Sequence, residues 1–212
     1  MKRSIEDHAE RFSAIATEYD EKQDSDEYAA CASLVIEAAQ PGPEETVLDL
    51  GTGTGAIALA LAPEAGRVIG RDISEGMLAE ARRKAEEAGH ENVAFGEGRF
   101  REPNVDGRAA TEVDADGTTA IDVVVSNFAM HHLADDEKRE AIEVIAELGP
   151  RRVVLGDVML SAAVPEGQEQ YSTEVDDPAT VGALSEALTD AGFSVVDVTL
   201  VSDQYGVLVA ER

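Results

Sequence analysis

The chain has a single cysteine, Cys31, in 212 residues. No intramolecular disulfide and no cluster of thiolates can be built from it. Tryptophan is absent and aromatics make up 4% of the sequence. Lysine is confined to Lys2, Lys22, Lys84 and Lys138, so arginine supplies most of the positive charge. Basic side chains number 17 against 44 acidic ones, a formal net charge of −27. A shell of that sign repels nucleic acid and anionic membranes. At low ionic strength it also repels itself, and salt screens that repulsion. With its many small apolar residues the composition predicts a salt-adapted protein of the kind extreme halophiles make. No apolar run is long enough to span a bilayer and no signal peptide is recognisable, so a cytoplasmic location is expected. The length suits one domain with a full core, and no internal repeat divides it. The expected organisation is a single domain over 1–212, with a helical segment at 1–40 preceding an α/β core at 46–212.

What is present centres on Val47-Leu48-Asp49-Leu50-Gly51-Thr52-Gly53-Thr54-Gly55. A short apolar run leaves a turn containing Pro41 and Pro43 and reads as a buried strand. Three glycines at alternate positions follow, and Ala56–Leu61 then continues as strong helix former. Strand, glycine turn and helix make a cradle in which backbone can approach a ligand closely and a helix N-terminus offers unpaired N–H groups. Gly51, Gly53 and Ala56 also satisfy the dinucleotide pattern. Asp49 discriminates between the two readings. A carboxylate at the end of a buried strand is costly unless it is hydrogen-bonded or meets a cation. It would repel a pyrophosphate and hold an ammonium group.

The run Asp-Leu-Gly-Thr-Gly-Thr-Gly resembles motif I of the class I S-adenosylmethionine-dependent methyltransferases, and the resemblance extends with gaps from about Tyr19 to the C-terminus. It implies that the glycine turn, Gly51, Thr52, Gly53 and Gly55, passes the amino-acid end of the cofactor while Asp49 helps orient it. A second strand over 67–71 ends at Asp72, about 20 residues beyond the first glycine, where nucleotide folds place the carboxylate that takes the ribose hydroxyls. The following run, Asp72-Ile73-Ser74-Glu75-Gly76-Met77-Leu78, resembles the family's second motif, which implies that Ile73 and Met77 pack on the adenine; the other reading of both is plain core. Ser74 caps the helix there. After a third strand at 92–96 the family continues with Gly-Asp, but this chain has Gly98-Arg99. Arginine has no acceptor for the adenine amino group. Glu97 or a backbone carbonyl is then the substitute, Phe100 supplies its backbone N–H or stacks, and Arg99 sits at the adenine end.

A fourth strand at 120–126, nearly all β-branched and apolar, reads as central and parallel. It leads into Asn127-Phe128-Ala129-Met130-His131-His132-Leu133, which resembles the family's segment at the reaction centre. Asn127 is a cofactor contact. His131 and His132 are candidates for a base, a metal ligand or loop fixing; no partner ligand stands at usable spacing, so no metal is expected. The Asn/Asp-Pro-Pro-Tyr/Phe motif used on nucleobase amino groups is absent, which with the charge disfavours a DNA methyltransferase. One cysteine likewise counts against methyltransferases that bind arsenic through several thiols.

Elsewhere, Phe12, Ala16, Tyr19 and Asp20 resemble the N-terminal segment that folds over the cofactor in small-molecule methyltransferases; packing on the sheet edge is the other reading. Asp24-Ser25-Asp26 would cap a second helix carrying Tyr28, Cys31, Val35 and Ile36. A polar loop is expected over 101–119, a helix opened by Asp135 or Asp136, a fifth strand at 152–156, an irregular substrate-shaping stretch from 157 to 178 with Tyr171, and a helix over 178–191. Strands at 193–201 and 205–210 then close the chain as an antiparallel hairpin.

The expected fold is Rossmann-like and doubly wound, a seven-stranded mostly parallel sheet ending in that hairpin. The expected function is methyl transfer from S-adenosylmethionine to a small molecule, with no nucleic-acid or membrane partner; nothing in the pattern sets an oligomeric state. A nicotinamide-dependent oxidoreductase and a cofactor-binding protein without turnover are the alternatives.

Overall fold

The computed structural model describes residues 5–22, 25–105, 120–161, 167, 171–172 and 175–212. At its centre is β1 (Thr46–Leu50), where every residue after Thr46 is buried. Its apolar side chains face both layers of helices, which is why the run is continuous rather than alternating. Parallel partners flank it: β2 (Arg67–Asp72) on one side and β4 (Val123–Asn127) on the other. β3 (Val93–Glu97) extends the first side and β5 (Arg152–Leu160) the second. β8 (Tyr205–Glu211) then runs antiparallel along β5, and β7 (Ser194–Leu200) antiparallel along β8. The order is therefore β3-β2-β1-β4-β5-β8-β7.

Among the described residues eight strands are present where seven were expected. The additional one, β6 (Ala179–Thr180), is a two-residue strand paired to Met159 and Leu160 at the end of β5. β5 itself runs to Leu160 rather than stopping at Gly156, because β8 continues to pair with it as far as Val158 and Tyr205. Asp157 thus belongs to a buried strand, not to an irregular stretch. Of the polar loop expected over 101–119, residues 106–119 lie outside the described ones, as does Asp24.

Helices α3 (Asp26–Ala39) and α4 (Ala56–Leu61) cover one face of the sheet through Cys31, Val35, Ile57 and Leu61. Helices α6 (Asp135–Glu147) and α7 (Val181–Asp190) cover the other through Ile142, Ile145, Leu184 and Leu188. The local signals explain the boundaries. Ser25 accepts from the Tyr28 N–H and caps α3, Ser74 accepts from Met77 N–H and caps α5 (Glu75–Ala88), and Gly89, at φ 71°, ends α5. Ala134 precedes α6, and its N–H donates to the Glu137 carboxylate at 2.9 Å.

The N-terminal segment divides between the two roles proposed for it. α3 packs on β4, β5 and β8, whereas α1 (Ile5–Ile15) lies against α5. α1 is tied there by Ser13, whose hydroxyl meets Ser74 Oγ at 2.8 Å and accepts from Gly76 N–H at 3.3 Å. A short α2 (Tyr19–Lys22) follows. Its Asp20 accepts from Thr54 Oγ1 at 2.6 Å and pairs with Lys84, binding the segment to the glycine turn and to α5 at once.

Candidate functional site

The parallel strands end together, and the main pocket opens at their C-terminal ends between β1, β2 and β4, where the strand order reverses. Ligands of open α/β sheets sit in that crevice. Eleven of the twelve cofactor-binding candidates line it. Asp49, Gly51, Thr52 and Gly53 form its floor, Asp72, Ile73 and Met77 one wall, Arg99 and Phe100 the end beyond β3, Asn127 the opposite wall, and Tyr19 the rim. Gly55 is the exception. It stands before α4 at φ 85°, and a side chain there would press on Phe95 and Ala81 at 3.0–3.1 Å, so it serves the packing of the turn.

The turn's other glycines differ in what they permit. At Gly51 a Cβ would lie 2.3 Å from the Ala129 Cβ, so the glycine lets the 128–130 loop close against the turn. Gly53, at φ 54°, has no protein atom within 4 Å of where a Cβ would be. Its backbone is bare towards the pocket, which is the close approach a ligand-binding turn needs. Its N–H donates to Asp72 Oδ2 at 2.9 Å, and Ser74 N–H donates to Asp72 Oδ1 at 2.9 Å. The Asp72 carboxylate is thus held rigid, with lone pairs to spare for further donors.

Asp49 is fully buried; it accepts from Thr52 Oγ1 at 2.7 Å, and the Ala58 backbone N–H also faces it. Burial pushes its pKa up to about 7, with the nearby Asp72 adding to the rise and the Thr52 bond opposing it. Asp72 is raised as well, again by burial, against the pull of its backbone donors. Two carboxylates that resist ionisation in the free protein face one cavity. A ligand bringing cationic or hydroxyl donors would relieve both.

The adenine-end expectations need correction. Arg99 reaches the lining, but its guanidinium folds onto Glu102, Nε at 2.9 Å. Glu97 is exposed and does not line the pocket. Phe100 is buried and does line it. Behind this segment, Arg71 donates to the carbonyls of Pro103 and Asn104 and holds the 97–104 chain in place.

At the far end, Asn127 is buried, and beyond a close approach of the Tyr28 phenol neither its Oδ1 nor its Nδ2 makes a hydrogen bond of good geometry. A buried amide without partners is rare unless something else satisfies it. Phe128 follows with φ 53°, a left-handed conformation uncommon for an aromatic residue and typical of functional sites. Its ring sits 5.2 Å from Tyr28 and 5.5 Å from Tyr205. Burial also raises the Tyr28 phenol pKa.

The two histidines separate. His132 lines the pocket beside Phe12, ring centroids 5.6 Å apart. Burial lowers its pKa despite the neighbouring Asp176. His131 is set behind it, its Nδ1 2.5 Å from Asp157 Oδ1 and its backbone N–H donating to Asp157 Oδ2 at 3.0 Å. Burial opposes the charge on His131, but Asp157 and then Asp176 outweigh it and the pKa is raised. His131 therefore fixes the loop, one of the roles open to it from sequence.

Sequence reasoning missed several members of this site. Ile5, His8, Tyr28 and Phe128 line it, and Asp157 and Asp176 orient the histidines. The bias of Phe12, Tyr19, Tyr28, Phe100 and Phe128 towards one pocket, in a chain with so few aromatics, is a signal that only the fold makes visible.

Residues 47–149 match the family described as methyltransferase domain. An arsenite methyltransferase of Halobacterium salinarum is 32% identical over 168 residues, 76% of this chain and 40% of that protein. An uncharacterized methyltransferase of Bacillus subtilis, YcgJ, is 33% identical over 118 residues, 55% of this chain and 42% of that protein. The chain thus spans about two fifths of the length of these curated relatives. Among solved structures, DhpI in complex with SAH superposes with a TM-score of 0.71 at 24% identity, covering 98% of this chain and 96% of that one.

Proposed function

Because the chain belongs to the class I methyltransferase family, we propose that it transfers a methyl group from S-adenosylmethionine to a small-molecule acceptor. The observation that carries this reading is a pair of carboxylates, the buried Asp49 and the half-buried Asp72, facing one cavity across a glycine turn whose backbone is bare at Gly53. S-adenosylmethionine brings what each of them requires: an ammonium group for Asp49 and a vicinal diol for Asp72. When bound, it supplies an electrophilic methyl group on a sulfonium, with a good leaving group. The chain's own part is to bind, align and exclude water.

Asp72 would accept both ribose hydroxyls on a carboxylate already locked by Gly53 and Ser74. Asp49 would favour the cationic amino-acid end beside Gly51, Thr52 and Gly53. Ile73, Met77 and Phe100 would enclose the base, with a backbone carbonyl of the 98–100 segment accepting from the adenine amino group in place of the family's acidic side chain. Asn127 would find partners for its two unsatisfied atoms at the cofactor's methionine end. Tyr19, Phe12 and His8 would close the pocket from the N-terminal side and keep water out. His132 is the side chain best placed to touch the acceptor, and burial lowers its pKa.

A small acceptor fits a pocket lined by several aromatic side chains, and the −27 charge argues against nucleic acid. Arsenite, the substrate named for the Halobacterium relative, is not favoured: Cys31 is the only thiol and is wholly buried. The antiparallel β8 and the repulsive Asp49 argue against a nicotinamide enzyme. Among the described residues no helix is long and apolar enough to cross a membrane. Incubating the protein with labelled S-adenosylmethionine and a small-molecule cell extract tests the reading. Extract-dependent release of S-adenosylhomocysteine is expected; tight binding with no release under any extract would leave a cofactor-binding protein without turnover.

A further inference from the structure

The sequence offers His131 and His132 no third ligand, and the metal-free expectation rested on that. The fold supplies one. Asp176, far downstream, reaches the pair from the segment after β5, its Oδ1 3.0 Å from His132 Nδ1 and 3.7 Å from His131 Nε2. All three atoms lie within 4.8 Å of one another. In a tetrahedral site with bonds of ~2.0–2.1 Å, ligand atoms stand ~3.3 Å apart. The two Asp176 separations lie within half an ångström of that, and the two imidazoles need only a small side-chain rotation to close the triangle.

The surroundings prepare each ligand. His131 commits Nδ1 to Asp157 Oδ1, which leaves Nε2 as its free ligand atom. That carboxylate–histidine pairing is the usual support behind a metal-bound imidazole. Asp176 commits Oδ2 to the Ser172 N–H at 2.8 Å, leaving Oδ1 turned to the histidines. His132 Nδ1 and Asp176 Oδ1 are buried and lack a hydrogen bond of proper geometry despite their closeness. The segment bearing Asp176 is also pinned: Asp177 N–H donates to the His131 carbonyl at 2.7 Å, and the buried Lys138 ammonium bridges the Asp177 and Leu133 carbonyls.

We propose that His131, His132 and Asp176 form a binding site for a first-row divalent cation such as zinc. Two imidazoles and one carboxylate leave a fourth position for water or a ligand. The ion would fasten the 175–177 segment to the loop after β4, and so set the wall of the pocket at His132. The inference is independent of methyl transfer, since its readout is the metal itself.

The test uses the full chain, stripped with chelator and titrated with cobalt(II) and zinc(II) in molar potassium chloride, which suppresses loose binding to the acidic surface. One equivalent of cobalt with the visible spectrum of a four-coordinate, nitrogen-ligated ion is expected, displaced by zinc. Asp176→Asn should abolish that spectrum. Asp157→Asn, which touches no metal, should weaken affinity by about 10–100-fold. Circular dichroism and S-adenosylhomocysteine binding, measured on the same samples, report the fold and the cofactor site separately. Absence of saturable binding to the folded wild type, or binding that both variants leave unchanged, overturns the proposal without touching the methyltransferase reading.

Discussion

The two ends of the pocket are built differently. The β1–β2 end is local. Asp49, the glycine turn, Asp72 and Ser74 come from a single strand–turn–helix–strand stretch, and backbone N–H groups fix the key carboxylate. The end beyond β4 is assembled from far apart: Phe12 and His8 from α1, Tyr28 from α3, His132 from the loop after β4, and Asp176 from beyond β5. On the proposed reading the first end would recognise a constant ligand, for which one rigid motif suffices. The second would suit one particular acceptor, and it draws on loops and helix faces that can vary without disturbing the sheet.

Salt removal should erase the contrast altogether, because self-repulsion from the −27 charge acts on the whole domain. Thermal unfolding followed from low to molar potassium chloride should show a midpoint that climbs steeply; a flat midpoint would remove the halophilic reading. In high salt, Asp72→Ala should weaken S-adenosylhomocysteine by on the order of a hundredfold or more, since two hydrogen bonds to a charged group are worth roughly 1.5–3 kcal/mol each. His132→Ala, at the other end, should leave that affinity nearly intact while slowing transfer. Equal losses in calorimetry would break the comparison.

Acidity should sharpen it. Asp49 titrates near pH 7 in the free protein, and a cationic ligand favours its charged form, so binding below that pH releases a proton. Affinity should therefore fall as pH drops below about 7, by up to about tenfold per unit, and Asp49→Asn should flatten that slope. The sign for stability is opposite: the free protein loses stability as pH rises from the ordinary carboxylate range to about 7, because the native state holds the proton more tightly. The smallest effect belongs to the rim. Tyr19→Phe should change cofactor affinity only slightly and Tyr19→Ala by severalfold, readable in the same titrations.

The same division governs what was legible in the sequence. β1 was legible as the apolar run before the glycine turn, and the caps at Asp24-Ser25-Asp26 and at Ser74 were recognisable, because their signals lie within a few positions of one another. Asp49 and Asp72 could be assigned for the same reason. β5 was cut short at Gly156 because its extension depends on β8, which pairs with it from the other end of the chain. That error hid Asp157, and with it the support of His131. Asp176 gave no signal, being an acidic residue in an acidic chain until the fold carries it to the histidines. Glu97 or a backbone carbonyl was named as a substitute for a missing acid; Glu97 stands exposed at the end of the edge strand β3, outside the pocket lining.

The most direct measurement is calorimetric titration of the wild-type protein, in high salt at pH 8, with S-adenosylhomocysteine and with NAD. The carboxylate pair predicts stoichiometric binding of S-adenosylhomocysteine and none of NAD. Binding of NAD with no response to S-adenosylhomocysteine would contradict the account.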